Sequence, residues 1–168
     1  YPHQSSNIAV VHNGIIENHA ELREQLKAKG YAFTSDTDTE VIAHLVHSLL
    51  NEDSISLRKA VQRASRILHG AYGMVIVDQN QPDQMVVARS GSPLVIGHGN
   101  GENFVASDPL ALAEHTSEFT YLEEGDVAKI TRIEIEIYND RGERVLRDQA
   151  RDTEFNEAVS KGEYRHFM

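Results

Sequence analysis

Cysteine is absent from all 168 residues, which removes every thiol nucleophile and every thiolate metal site from the chemistry open to this chain. What remains is amides, carboxylates, hydroxyls and nine histidines. His44 and His47 stand three apart on a predicted helix. No third ligand accompanies them, so they read as a packed and an exposed histidine rather than a metal site. Gly97-His98-Gly99-Asn100-Gly101 has the glycines of a nucleotide loop but the wrong spacing and no following helix; it reads as a hairpin loop. Two places are left. His12-Asn13-Gly14 closes an apolar run, and taken alone Asn13-Gly14 is a β-turn dipeptide, with His12 structural. Asp38 opens a predicted helix, where negative charge is favourable in any case.

The elements that must hold these residues can be read from periodicity. Asn7 to Val11 is a short β-branched strand ending at the predicted turn. Asn18 and Glu21 have capping-box spacing, Leu22 and Leu26 follow at helical spacing, and Gly30 closes that helix. Thr37 and Glu40 have the same spacing ahead of an apolar stripe of Val41, Ile42, Leu45, Val46 and Leu49. A third helix is predicted from about Ile55 to Leu68, with Leu57, Val61, Ala64 and Leu68 inward and Asp53 or Ser54 as cap. From Ala71 the pattern turns to strands at 74–77, 85–88, 94–96, 104–106, 119–122 and 127–130. Residues 133–138 alternate strictly, and Asn139-Asp140-Arg141-Gly142 makes a hairpin. Early helices and late hairpins predict a layered α+β fold rather than a doubly wound parallel sheet.

The length suits one domain able to bury about 70% of its unfolded surface. With 16 Lys and Arg against 26 Asp and Glu the formal charge is −10, a poor basis for gripping a phosphate backbone, so no nucleic-acid partner is expected. No run approaches the roughly 18 to 20 apolar residues that span a bilayer, and Tyr1-Pro2-His3-Gln4-Ser5-Ser6 has no signal-peptide character. No membrane partner is expected, and a cytoplasmic location is the default.

Seven stretches, taken in order, carry a resemblance. They are Val11-His12-Asn13-Gly14-Ile15-Ile16-Glu17-Asn18, Ser35 to His44 (Ser-Asp-Thr-Asp-Thr-Glu-Val-Ile-Ala-His), His69-Gly70-Ala71-Tyr72-Gly73, and Ala88 to Gly97 with its Arg89-Ser90-Gly91-Ser92-Pro93. Ala106-Ser107-Asp108, Leu122-Glu123-Glu124-Gly125-Asp126 and Tyr164-Arg165-His166-Phe167-Met168 complete them. Together the chain resembles the N-terminal glutaminase domain of the glucosamine-6-phosphate synthases, the glutamine–fructose-6-phosphate aminotransferases (isomerising). The resemblance implies the N-terminal-nucleophile fold, an αββα sandwich of two antiparallel sheets between helical layers. It implies class II glutamine hydrolysis, in which an N-terminal cysteine attacks the side-chain amide. Ammonia then passes to a sugar-isomerase domain that aminates fructose 6-phosphate.

By that resemblance Asn13 and Gly14 match the oxyanion hole, one giving a side-chain N–H and the other a backbone N–H to the developing charge. Asp38 matches the carboxylate that holds the α-amino group of glutamine. The implied ligands are L-glutamine and L-glutamate, with no cofactor and no metal; fructose 6-phosphate would be met only through the isomerase part, and the intact enzyme would be a homodimer. The family's opening segment, with its cysteine and a covering Arg-Trp loop, has no counterpart here. Tyr1-Pro2-His3 aligns with a family His-Pro-His, with Tyr1 in place of its first histidine. The expectation is therefore a partial amidotransferase domain over 1–147 and an extension over 148–168 leading toward the isomerase. Such a chain should not hydrolyse glutamine alone, and should leave apolar sheet surface uncovered. The alternatives are another class II amidotransferase, such as the asparagine or phosphoribosylamine makers, and a non-catalytic glutamine-binding module.

Overall fold

A computed structural model describes residues 3–151, with side chains from Ser5 to Asp148. Strands β1 (His3–Ser5) and β2 (Ile8–Ile16) lead into helices α1 (His19–Ala28), α2 (Asp38–Asp53) and α3 (Leu57–Ile67). The strands that follow are β3 (Gly70–Asp78), β4 (Gln84–Ser90), β5 (Val95–His98), β6 (Asn103–Ala106), β7 (Glu118–Tyr121), β8 (Val127–Thr131), β9 (Ile135–Tyr138), β10 (Arg144–Val145) and β11 (Gln149–Arg151). A 3-10 turn, Pro109–Leu112, lies between β6 and β7. The strands form a seven-stranded sheet, β1-β2-β3-β4-β8-β9-β10, and a four-stranded sheet, β11-β7-β5-β6. Every pairing is antiparallel.

The layers follow from side-chain alternation. Ile8, Val10 and Ile16 of β2 and Tyr72, Met74 and Ile76 of β3 turn one way, onto Val41, Ile42, Leu45, Val61 and Ala64 of the helices. The opposite parity, with Val87, Ala128 and Ile130, meets Leu94 and Ile96 beneath the small sheet. Each such side chain, fully buried, contributes on the order of 1.5–3 kcal/mol. The predicted α+β sandwich of facing antiparallel sheets is thus present. All three α-helices lie over the large sheet, and among the described residues the far face of the small sheet carries the 3-10 turn, packed on Val95 and Phe119. No described helix is long and apolar enough to cross a membrane. Of the extension expected over 148–168, Gln149–Arg151 instead form β11 of the small sheet, and residues 152–168, with Tyr164-Arg165-His166-Phe167-Met168, lie outside the described residues.

Gly30 closes α1 as expected: at φ +100° it donates to Lys27 O while Tyr31 N donates to Leu26 O, the paired bonds of a Schellman motif. Four local expectations are corrected. Asn13-Gly14 is not a turn but lies inside β2, because the strand continues against β3 to the Ile16–Gly70 pair. Asn18 makes no capping-box bond; its amide instead donates to Ile67 O and accepts from His69 N, both at 2.9 Å. Thr37 is the N-cap of α2, but its hydroxyl makes no cap bond to the helix and lies 2.9 Å from Ser35 Oγ, while Glu40 is engaged further back, at Thr34 and Ser35. Ser56, not Asp53 or Ser54, caps α3 by accepting from Lys59 N, and Ser54 ends α2 in the left-handed region.

Candidate active site

The site is built where β2 runs past the end of β1. β1 pairs with β2 only at Ile8–Val10, so from Val11 to Ile16 one edge of β2 lacks a strand partner among the described residues. On the other edge β3 comes unusually close. Gly14 has φ +96°, and a Cβ there would stand 2.1 Å from Ala71 O; Gly70, at φ +139°, has the same conflict with Ile15 O. Only glycine fits either backbone.

Asn13 faces the side of the sheet turned toward β5, where the small sheet does not cover it; Asn13 is exposed, as are Val11 at 49% and Ile15 at 67%. Its amide lies over Gly73, where a Cβ would approach Asn13 Oδ1 to 3.1 Å. Gly73 N donates to that oxygen at 3.2 Å. The bond assigns the amide's orientation, with Oδ1 held inward and Nδ2 left to donate outward. Asn13 and Gly14 therefore offer a fixed amide beside a positive-φ glycine, both exposed.

Asp38 reaches the same stretch from α2. Ile16 N donates to its Oδ2 at 3.1 Å, while its Oδ1 lies 4.0 Å from His19 Nδ1, too far for a hydrogen bond. The carboxylate is thus anchored at one oxygen and open at the other, in a side chain about a quarter exposed. His19 Nδ1 is itself buried and has no hydrogen-bond partner. The next two residues of α2 complete the attachment. Thr39 Oγ1 lies 2.7 Å from His12 Nδ1, and Glu40, 3% exposed, accepts from Thr34 N, Ser35 N and Ser35 Oγ at 2.7–2.8 Å. His44 Nε2 stands 3.2 Å from Glu40 and its Nδ1 2.8 Å from Ser5 Oγ. Burial would raise the Glu40 pKa, but the donors from Ser35, Thr34 and His44 outweigh it and hold the carboxyl at about 2. Burial, then the neighbouring His44, lowers His47, which meets Tyr31 Oη at 2.7 Å. His44 is buried and His47 half-buried, and among the described residues no His, Asp and Glu side chains cluster to hold a metal.

The loop after β4 closes on the same place. Gly91, at φ +78°, packs so tightly on Ala71 that a Cβ would come within 2.7 Å of its Cβ, and Gly91 N donates to Glu124 at 2.9 Å. Gly97-His98-Gly99-Asn100-Gly101 forms the β5–β6 hairpin as expected. A groove of about 610 Å³ lined by Ser56, Arg58, Lys129 and Tyr138 shares no lining residue with this site.

The stretches around Asp38, Gly70 and Gly91, separate in sequence, thus come together at or beside the Val11–Ile16 segment. A family profile described as a glutamine amidotransferase domain matches residues 2–114. The chain belongs to that family. Among similar proteins, the glutamine–fructose-6-phosphate aminotransferase (isomerizing) of Vibrio vulnificus strain CMCP6 is 59% identical over 168 residues, all of this chain and 27% of that protein. Its namesake in Pseudomonas putida is 56% identical over 169 residues, with all of this chain and 28% of that protein covered. The chain spans little more than a quarter of the length of these relatives. A solved glutamine phosphoribosylpyrophosphate amidotransferase from B. subtilis, complexed with ADP and GMP, superposes with a TM-score of 0.69 at 28% identity, covering 83% of this chain and 31% of that one. The sandwich of this amidotransferase domain is accordingly of the N-terminal-nucleophile type.

Sequence reasoning placed Asn13, Gly14 and Asp38 together, and the fold brings all three to one segment of β2. It missed Gly73, whose missing side chain and N–H orient Asn13. It also missed His19 and the Glu40 network, whose partners are set by loop geometry rather than spacing.

Proposed function

We propose that this chain is the glutaminase part of a glutamine–fructose-6-phosphate aminotransferase (isomerising), a transferase that moves the amide nitrogen of L-glutamine onto fructose 6-phosphate to give glucosamine 6-phosphate. The observation that carries the reading is the Asn13–Gly73 bond, which leaves Asn13 Nδ2 as an outward donor beside Gly14, two residues from the Ile16 N–H that anchors Asp38. Asp38 Oδ1 takes the α-ammonium of glutamine. Asn13 Nδ2 and the Gly14 N–H take the oxygen that becomes negative when a thiolate adds to the side-chain amide carbon. Collapse of that adduct expels ammonia and leaves a thioester, which water hydrolyses to glutamate. Since the 168 residues hold no cysteine, the thiol must come from outside them. Each oxyanion donor is worth about 2.7–4 kcal/mol in the transition state.

The relatives at 56–59% identity support this acceptor over that of the phosphoribosylpyrophosphate enzyme at 28%. The expected boundary at 147 falls short: Gln149–Arg151 pair with β7 as the edge strand β11 of the small sheet, so in this reading the glutaminase unit runs at least to Arg151, and the residues beyond it lead toward the sugar-isomerase domain. Just ahead of β11, Arg147 ties the chain to the domain by donating to both carboxylate oxygens of Asp126 at 2.8 Å. The enzyme acts in cytoplasmic amino-sugar synthesis as a homodimer.

Glutamate formation from L-glutamine tests the reading. The unfused chain should release none. With the region that precedes the matched stretch of the Vibrio vulnificus relative joined ahead of Tyr1, release should appear, and Asn13→Ala should slow it by about 10²–10³-fold. Release by the unfused chain, or a folded fusion that releases none, contradicts the reading. A fusion that binds glutamine without turnover would mark a glutamine-binding module instead.

A further inference from the structure

We propose that Glu40 is a positioning residue of the site: by tying Thr34 and Ser35 to the first turn of α2, it fixes where Asp38 stands against β2 and so sets the preference for ligands that carry an α-ammonium group. The inference rests on the glutamine reading of Asp38 and goes beyond it.

The geometry is that of a three-point attachment made by consecutive residues. Asp38 holds Ile16 N, Thr39 holds His12, and Glu40 holds the loop that delivers the chain into α2. His12 and Ile16 bracket Asn13 and Gly14, so the first two contacts set the helix end onto the segment that bears the oxyanion donors. Asp38 itself has one anchored oxygen, the other standing 4.0 Å from His19 Nδ1, and Arg23 of α1 holds only backbone carbonyls of the same loop, Ser35 O at 2.8 Å and Thr37 O at 3.3 Å. Glu40 supplies the third point. Its Oε1 takes Ser35 N and Ser35 Oγ, its Oε2 takes Thr34 N and faces His44. His44 in turn meets Ser5 of β1, and Ser35 Oγ lies 2.9 Å from Thr37 Oγ1, at the N-cap itself. A carboxylate at this third helical position ordinarily closes a local capping box. Here it reaches beyond the cap, which is more than the helix end alone requires. In Glu40→Gln an amide nitrogen would replace one oxygen and confront either Thr34 N–H or the Ser35 donors.

The test is a ratio of affinities, which does not depend on how much protein is folded. Amide chemical-shift titration of the 168-residue chain is run with L-glutamine and with glutaramate, which is glutamine without its α-amino group. The unsubstituted chain should favour L-glutamine by about tenfold or more, as a charge-assisted bond gives. Glu40→Gln should cut that ratio about fivefold with glutaramate affinity held within about twofold, and Ser35→Ala should cut it about twofold. Ser35→Ala removes one donor and keeps the fold, so it serves if Glu40→Gln is too unstable to titrate. An unchanged ratio in both variants overturns the role of Glu40 while leaving the glutamine site intact. No preference for L-glutamine in the unsubstituted chain overturns the site and the role together.

Discussion

Replacing Glu40 by Gln should cost stability in a way that depends on pH. The carboxyl is 3% exposed and titrates at about 2 in the folded chain against an ordinary 4.5. Its folded pKa is depressed, so its contribution is fully present above about pH 5 and is lost as pH falls through 4.5 toward 2. That interval corresponds to roughly 3 kcal/mol at neutral pH, a large share of the 5–15 kcal/mol that stabilises a typical domain. Urea denaturation of both forms at pH 7, 5, 4 and 3 reads the gap directly. The gap should be about 3 kcal/mol at pH 7, change little to pH 5, and fall to roughly half or less by pH 3, where the unfolded carboxyl is already protonated. Glu40→Gln should melt roughly 6–12 °C lower at pH 7. A gap below about 1 kcal/mol at pH 7, or one of the same size at pH 3, refutes the reasoning that hydrogen-bond donors hold this carboxylate ionised.

Two glycines with similar backbone angles should respond differently to alanine. Gly14→Ala forces a Cβ to within 2.1 Å of Ala71 O at φ +96°, whereas Gly30→Ala at φ +100° meets nothing within 4 Å. Chemical denaturation should give about 3–5 kcal/mol for the first and about 1 kcal/mol for the second; equal losses would contradict the close approach of β2 and β3. Arg147→Ala leaves the fully buried Asp126 carboxylate without the partner that holds both its oxygens at 2.8 Å. It should cost about 3–5 kcal/mol in the same assay, and a loss under about 1 kcal/mol would detach Arg147 from the domain.

Periodicity was a good guide wherever one face of an element is buried by its neighbours. The stripe of Val41, Ile42, Leu45 and Val46 is buried as its spacing demands, and Gly30 ends α1 as its type demands. The alternation at 133–138 held only from Ile135, because Thr131 and Glu134 close a turn that leaves Ile133 83% exposed. The two capping boxes failed for one reason. Spacing reports only neighbours within a turn of helix, while Asn18 is drawn to His69 and Ile67, and Glu40 to the preceding loop. Asn13-Gly14 failed as a turn in the same way: the dipeptide has turn composition, but the long pairing with β3 carries the strand through it. The proposed site residues Asn13, Gly14 and Asp38 were singled out through resemblance rather than through periodicity. Gly73 and His19 were not legible, since their part depends on a partner far along the chain coming to hydrogen-bond or near-contact distance.

In the proposed reading Asp38 carries the distinction between glutamine and any simple amide, so the most direct measurement is the affinity ratio of L-glutamine to glutaramate in the unsubstituted chain and in Asp38→Asn. Asparagine keeps a carbonyl for the Ile16 N–H and removes only the charge. The unsubstituted chain should prefer L-glutamine by about tenfold or more, and Asp38→Asn should bind the two within about twofold of each other. Equal binding by the unsubstituted chain, or a preference that survives Asp38→Asn, would mean that this carboxylate does not hold the α-ammonium group.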